Sequence, residues 1–248
     1  MKRATLAVLA GCALPGAVAQ AELLCPGQDV AAVDGRMLGH IGYDEARTAD
    51  LVAAPHGFAV GAACQVRPEV AYDLARMLAA ANADPQVKGR LRGISCYRSV
   101  AHQRRVFCSA IGPKKRARDA ADRARFVGPP GYSEHATGYA IDFGTRPSPG
   151  CGDVNACFGA TAAGRWLLAH GPEFGFELSF PAGNAQGVSW EPWHWRWVGT
   201  SVLIPGAAAA RATFAAARTA FPARPTTTDG AARLPSPGVG PGFSFPQR

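Results

Sequence analysis

The sequence predicts an α+β fold, with a small, mainly antiparallel sheet and helices packed around it. Apolar residues make up 48% of the 248 residues and charged residues 18%, so enough apolar material is present for a sizeable core. Segments with helical and with strand periodicity follow one another without the regular strand–helix–strand repeat of a parallel sheet. The length suits one compact domain with short appendages.

Four segments have the pattern of helices. Pro68 and Glu69 suit the first turn of the first of them, and its apolar residues recur at helical spacing. Ser99 and Thr161 are suited to cap the second and the fourth. The predicted helices cover residues 68–83, 100–108, 114–126 and 161–170.

Four further segments have the pattern of strands. In the second of them Tyr139, Ile141 and Phe143 share one face, and Asp142 lies on the other. Gly183 and the asparagine after it form a turn signal between the last two segments. The predicted strands cover residues 90–96, 138–143, 176–180 and 188–198.

The N-terminus has the pattern of an export signal. Residues 1–3 are positively charged, an apolar stretch follows, and small residues offer cleavage after Ala19 or Ala21. Residues 9–12 also have the form of a bacterial lipobox, in which Cys12 is lipidated and anchors the protein. We therefore expect an exported bacterial protein that is periplasmic or associated with the cell envelope.

The cysteine count agrees with export. Of seven cysteines, six remain once Cys12 is removed or lipidated, and in an oxidising compartment six form three disulfides. Cys151 and Cys157 flank a short polar loop and are the expected local pair. The remaining connectivity is open, and the lack of a CxxC spacing disfavours a zinc ribbon.

These signals divide the chain into three parts. A signal peptide covers residues 1–21, a folded domain covers 22–205, and an extension rich in alanine and proline covers 206–248 and is largely flexible. Within the extension we expect a helix that packs weakly, because Phe214 and Phe221 are its only large apolar residues.

The net charge of +8 is concentrated in a basic segment between residues 104 and 125. A nucleic-acid site is one interpretation of this segment. A base-stacking platform has aromatic side chains interleaved with basic ones, and this segment lacks that pattern, since Phe107 is its one aromatic residue. We favour a solvated helix and loop without nucleic acid as a partner. For an exported protein, anionic polymers and lipids of the envelope are the expected attractors.

Two segments, residues 133–143 and 190–196, contain side chains that bind metal ions. His135, Asp142 and His194 offer two imidazoles and one carboxylate. A catalytic zinc ion takes three such protein ligands and leaves one position to water. A single carboxylate leaves the site net positive, which lowers the pKa of the bound water.

A free carboxylate lies close to this set in sequence. Glu191 precedes His194 by three residues, so both side chains can reach one cleft, where the glutamate would act as a general base and acid. Pro192 argues against a helical HExxH arrangement. A single histidine is more often an ordinary hydrogen-bonded residue, and we interpret the remaining ones in this way: His40, His56, His102 and His170.

These motifs resemble those of a known enzyme family. SEHATGYAID at 133–142 and EPWHWRWVG at 191–199 are similar to the SxHxxGxAxD and ExxH motifs of the LAS metallopeptidases, especially the VanY-like D-alanyl-D-alanine carboxypeptidases. CYRSVAHQ at 96–103 resembles the YRS-x3-Q element of that family. The three motifs follow in the family order, and the likeness extends from about Leu38 to Gly199.

The resemblance implies the LAS, Hedgehog-like fold and a zinc carboxypeptidase that acts on peptidoglycan stem peptides. It implies that His135, Asp142 and His194 are zinc ligands and that Glu191 is the catalytic base. It also implies that three residues bind the terminal carboxylate or steady the oxyanion: Arg98, Gln103 and Ser133. One departure is Cys96, where the family pattern has a small residue, and a disulfide bracing the substrate loop would account for it.

Other functions fit the same motifs. An LD-carboxypeptidase that trims tetrapeptides and a peptidoglycan endopeptidase would use the same residues. A metal-free module that binds the cell envelope is the alternative outside the enzymes, but such a module has no need of Glu191. We expect the protein to be a monomer.

Overall fold

The computed structural model describes residues 21–227 apart from residues 62 and 149. The predicted signal peptide, with Cys12, and the distal tail lie outside the described residues. Within the described part, no helix combines the length and apolar character that crossing a bilayer requires. The strands are β1 Ala21–Cys25, β2 Gln28–Ala31, β3 Arg36–Met37, β4 His40–Ile41, β5 Val52–Ala53, β6 Gln65–Val66, β7 Leu91–Ser95, β8 Ala140–Thr145, β9 Phe176–Leu178 and β10 His194–Trp197. The helices are α1 Pro68–Ala83, α2 Val100–Cys108, α3 Ala120–Ala124, α4 Ala162–His170, α5 Ala207–Thr213 and α6 Ala215–Ala220.

A four-stranded antiparallel sheet forms the centre of the molecule. Its strand order is β7-β8-β10-β9, and three two-stranded ribbons accompany it in the described part of the chain. All six residues of β8 and all four of β10 are buried, because helices and loops cover both faces of these inner strands. The predicted α+β class is confirmed.

Helices α1 and α2 have the predicted bounds. Pro68 is in the first turn of α1, and the apolar stripe of this helix is buried at Val70, Leu74, Met77 and Ala81. The Ser99 hydroxyl accepts a hydrogen bond from the His102 amide and caps α2. Local signals therefore suffice for these two elements.

Two predicted elements are much shorter in the structure. Of the predicted helix at 114–126 only Ala120–Ala124 is α-helical, because Asp119 caps a helix at that point and the basic residues before it form turns. Of the predicted strand at 188–198 only His194–Trp197 pairs, since Pro192 lies in a turn.

Three disulfides join the six described cysteines. The predicted Cys151–Cys157 bridge is present, and the other two are Cys25–Cys108 and Cys64–Cys96. The Cys64–Cys96 bridge fixes the end of β7 next to the YRS segment. This is the disulfide that the departure at Cys96 suggested.

The prediction of a weakly packed C-terminal helix is wrong. Ala207, Ala210 and Phe214 are fully buried in the main core, and Ala223 is also buried. The small alanine side chains let the helix approach the core closely, and the Phe214 ring lies edge-on against Tyr43 and Tyr139. The segment up to residue 227 is therefore part of the folded domain, beyond the predicted boundary at 205.

Candidate active site

Three short elements bring the predicted metal ligands together. His135 lies in a 3-10 turn, Glu134–Thr137, which ends at Gly138 with a φ of 75°, in the left-handed region that favours glycine. Asp142 is on β8, and His194 is its direct partner on β10. Antiparallel pairing thus places residues from distant parts of the sequence side by side.

The ligand atoms of the three residues lie within 4.8 Å of one another. Asp142 Oδ2 is 3.1 Å from His135 Nε2, and Asp142 Oδ1 is 2.9 Å from His194 Nδ1. All three side chains are almost completely buried. The arrangement of two nitrogen atoms around a carboxylate is one that a borderline cation such as zinc accepts.

In each imidazole, the nitrogen that does not face Asp142 also has a hydrogen-bond partner. His135 Nδ1 donates to the Cys96 carbonyl at 2.7 Å, and His194 Nε2 is 3.0 Å from Glu134 Oε2. A neutral His135 then directs the lone pair of Nε2 towards an ionised Asp142. Two acceptors this close repel each other unless a proton or a cation lies between them, so the donor set fits a metal ion.

Charge and burial act in opposite directions on these groups. Burial alone would raise the pKa of Asp142, but His135 and His194 hold it well below its ordinary value. Burial lowers the pKa of His135, and Asp142 offsets part of that effect. Despite its burial, hydrogen bonds to Asp142 and Glu134 raise the pKa of His194 to about 10.

Behind His194 lies a network of buried charges. Glu134 Oε1 accepts from Arg196 at 2.8 Å, and Glu134 Oε2 accepts from the Ser179 hydroxyl at 2.6 Å. Arg196 also donates to Glu177 at 2.7 Å. Although burial opposes ionisation of Glu134, Arg196 and His194 keep its pKa well below the ordinary value.

Glu191 is the buried carboxylate that stands apart from this network. Its backbone amide donates to the Phe180 carbonyl, and its carbonyl accepts from the His194 amide. Within residues 21–227, no side chain donates a hydrogen bond to its carboxylate. Burial, reinforced by the negative charges of Asp142 and Glu134, raises its pKa to about 8 although His194 acts in the opposite direction. A group with these properties is suited to accept and return a proton.

A cavity of about 510 Å³ adjoins the three candidate ligands and Glu191. Its walls are polar near these residues and carry aromatic and basic side chains further out. Among the lining residues are Arg98, Arg123, Ser133, Phe180 and Trp193. A molecule that enters this cavity therefore has access to the candidate ligands and to the Glu191 carboxylate.

The sequence profile of the VanY family, described as D-alanyl-D-alanine carboxypeptidase, matches residues 63–200, more than half of the chain. The chain belongs to the VanY family. The match includes all three candidate ligands, Glu191 and the YRS segment.

Curated relatives and a solved structure agree with VanY membership. The chain is 34% identical to YodJ of Bacillus subtilis over 139 residues, which are 54% of this chain and 46% of YodJ. It is 30% identical to VanXYC of Enterococcus gallinarum, a bifunctional D-Ala-D-Ala dipeptidase and carboxypeptidase, over 54% of this chain and 67% of that protein. The structure of the LD-carboxypeptidase LdcB is similar with a TM-score of 0.56 and 25% identity, covering 78% of this chain and 91% of LdcB. The chain thus spans less than half of YodJ but most of LdcB.

Two of the three predicted substrate-binding residues of this VanY protein line the cavity, and the third lies behind them. Arg98 and Ser133 line the cavity, but Gln103 does not. The Gln103 amide is 1% exposed, accepts from Arg98 at 2.7 Å and donates to the Gly128 carbonyl at 2.5 Å. Both of its polar atoms are occupied, so the geometry assigns Gln103 to holding Arg98.

Two residues around the VanY site were missed by sequence reasoning although both lie in the quoted motifs. Glu134 precedes the first ligand, and Arg196 alternates with buried tryptophans on β10. A charged residue between buried neighbours in a metal motif is a signal for an outer partner of a ligand. His40, interpreted as ordinary, does bind the Ala124 carbonyl at 2.7 Å, yet it also lines the cavity.

Proposed function

We propose that this protein is a zinc-dependent carboxypeptidase that removes the C-terminal D-alanine from peptidoglycan stem peptides. One observation carries the proposal: the ligand atoms of His135, Asp142 and His194 lie within 4.8 Å of one another, and the Glu191 carboxylate, to which no described side chain donates, adjoins the same cavity. Membership of the VanY family and the likeness to a D-Ala-D-Ala carboxypeptidase support the reaction and the substrate.

Arg98 binds the terminal carboxylate of the peptide. Its two terminal nitrogens donate to Gln103 and Ser95 and approach Asp142 Oδ2 at 3.4 Å, so three contacts are already made. A guanidinium has five N–H groups, which leaves donors for a carboxylate. Ser133 lies on the same cavity wall and supplies a hydroxyl. Anchoring the chain end in this way selects the last peptide bond.

Glu191 moves the proton. Its carboxylate takes a proton from the attacking water and delivers it to the leaving amine of D-alanine. His135, Asp142 and His194 would hold the zinc ion, which would supply Lewis-acid chemistry for activating water and polarising the scissile carbonyl. The low-polarity surroundings that raise the pKa of Glu191 also strengthen its interaction with developing charge.

The test is mass spectrometry of muropeptides after digestion with the zinc-loaded protein. Loss of one alanine from pentapeptides is the expected result. Unchanged muropeptides with a protein that carries stoichiometric zinc would contradict the proposed reaction. Cleavage of cross-links would identify an endopeptidase instead.

An LD-carboxypeptidase is the second candidate. The solved structure with a TM-score of 0.56 to this chain is that of an LD-carboxypeptidase. Such an enzyme shortens tetrapeptides and leaves the D-alanyl-D-alanine bond of pentapeptides intact. The same digestion separates the two candidates, because the two substrates differ by the mass of one alanine.

The protein acts outside the cytoplasm in this proposal. The signal pattern of residues 1–21 and the three disulfides support export. N-terminal sequencing of protein from fractionated cells is the test. A new N-terminus at Gln20 or Glu22 is expected for a soluble form, and a lipidated Cys12 for an anchored one. An intact Met1 in the cytoplasmic fraction would contradict export.

A further inference from the structure

A continuous chain of buried contacts leads from His194 to the C-terminal segment of the protein. His194 Nε2 is hydrogen-bonded to Glu134, Glu134 accepts from Arg196, and Arg196 also donates to Glu177. Two residues of the C-terminal segment in turn contact Glu177. Arg218 Nε lies 3.2 Å from its Oε1, and the Thr226 hydroxyl donates to its Oε2 at 2.9 Å.

The buried members of this chain depend on one another. Glu134 is 4%, Arg196 1% and Glu177 0% exposed, so water cannot replace a lost partner. Arg196 is shared by two carboxylates, and Arg218 supplies the second positive charge beside Glu177. Removing one partner from such a cluster leaves a buried charge uncompensated.

The C-terminal segment is also fixed to the sheet through backbone and ring contacts. The Leu178 amide donates to the Pro225 carbonyl at 3.0 Å, on the strand that carries Glu177. The Arg196 guanidinium lies over the Phe214 ring, 5.3 Å from the ring centroid. All of these C-terminal residues lie beyond residue 200, where the VanY match ends.

We propose that residues 214–226, here called the C-terminal clamp, position the metal ligand His194. Arg218 and Thr226 hold Glu177, and the chain through Arg196 and Glu134 then sets the orientation of the imidazole. Donation from Nε2 to Glu134 leaves Nδ1 free to bind a cation. The inference rests on the proposed zinc site.

The expected effects decrease with distance from the ligand. Loss of a direct hydrogen-bond partner of a ligand typically costs about 10- to 100-fold in metal affinity. We expect this for Glu134→Gln. For Arg218→Gln and Thr226→Val, which act through Glu177, we expect a smaller loss of about threefold to tenfold.

The experiment measures the zinc dissociation constant of the full-length protein by competition with a chromophoric chelator. The melting temperature of the metal-free protein, and kcat and KM of the zinc-loaded protein, are measured alongside. Arg218→Gln should weaken zinc binding and lower kcat at subsaturating zinc with KM unchanged. Arg218→Lys, which retains the charge, should restore much of the affinity. Arg165→Gln on α4 is the matched control, because that exposed arginine donates to the Ala160 carbonyl and pairs with no carboxylate among the described residues.

A second control separates positioning from general stability. Phe221→Leu loosens the same segment, since Phe221 is buried, without touching Glu177. The clamp has no specific positioning role if Arg218→Gln and Phe221→Leu lower the melting temperature by the same amount and also have the same effect on zinc affinity. This holds whether both variants keep the wild-type affinity or both lose affinity to the same extent. A wild-type chain that binds no zinc would instead remove the proposed function, and this inference with it.

Discussion

Two clusters of charged side chains in this molecule are organised in opposite ways. Behind His194, the buried residues Glu134, Arg196 and Glu177 are linked by ion pairs of 2.7–2.8 Å. In the basic segment at 104–125, no carboxylate among the described residues lies within 4 Å of Arg116 or Arg123. Burial, followed by the charges of Arg116 and Arg98, lowers the pKa of Arg123.

The comparison indicates different uses of the same residue types. A paired, buried arginine such as Arg196 holds its neighbours in place, and its charge is not available to a ligand. Arg116 and Arg123 line the cavity without a carboxylate partner and create a positive potential at its rim, which attracts anionic ligands. Substitutions in the paired cluster should therefore affect stability and metal binding, and those at the rim should affect substrate binding alone.

The largest effect is expected at Glu191, whose carboxylate accepts no side-chain hydrogen bond within the described part of the chain although it lies beside the paired cluster. Glu191→Gln should lower kcat by roughly four orders of magnitude, because the base is lost. Zinc content and the free energy of unfolding should not fall, since Glu191 is not one of the three candidate ligands and no described side chain donates to its carboxylate. Turnover near the wild-type level would overturn the assignment of the base. Glu173→Gln, at a surface carboxylate, is the control.

The next effect concerns the paired cluster itself. His194→Ala should abolish stoichiometric zinc binding and lower the free energy of unfolding by about 3–5 kcal/mol, because Asp142 and Glu134 both lose a partner. Metal analysis and denaturant unfolding measure the two quantities. The control is His170→Ala, at a histidine whose side chain is 42% exposed. Full zinc occupancy in His194→Ala would exclude the proposed ligand set.

A smaller effect on stability is expected from the disulfide next to His135. Replacing Cys64 and Cys96 by alanine opens a loop with a sequence separation of 32 and should cost about 3 kcal/mol of unfolding free energy. Zinc affinity should fall as well, since the Cys96 carbonyl accepts from His135. The Cys151–Cys157 bridge, with a separation of 6, is the matched control and should leave zinc affinity unchanged.

The smallest effect is expected at the basic rim. Arg123→Gln should raise KM for an anionic stem peptide about threefold, with kcat, zinc content and melting temperature unchanged. Added salt should reduce the difference from wild type. A lower melting temperature in this variant would mean that Arg123 belongs to the structural charges, and the contrast between the two clusters would not hold.

The sequence predicted those features that depend on short segments. The bounds of α1 and α2 follow from a proline, a capping serine and an apolar stripe, all local signals. The candidate ligands follow from motif spacing, and the structure brings them together. Their catalytic and metal-binding roles stay predictions.

Features that depend on distant partners were not predictable. Glu134 bonds Arg196 and Ser179, which are 62 and 45 residues away, and no local pattern indicates such pairs. The C-terminal helices looked weak because alanine contributes little apolar area. In the fold, however, small side chains allow close packing around Phe214.

The hydrogen bond from His135 to the Cys96 carbonyl links the assembly of the site to the cell compartment. A chain that folds where glutathione keeps thiols reduced lacks the Cys64–Cys96 crosslink, and the carbonyl that orients His135 is then less firmly held. We therefore expect the site to assemble fully only where the protein folds under oxidising conditions, because reduction of this crosslink also loosens the support of His135.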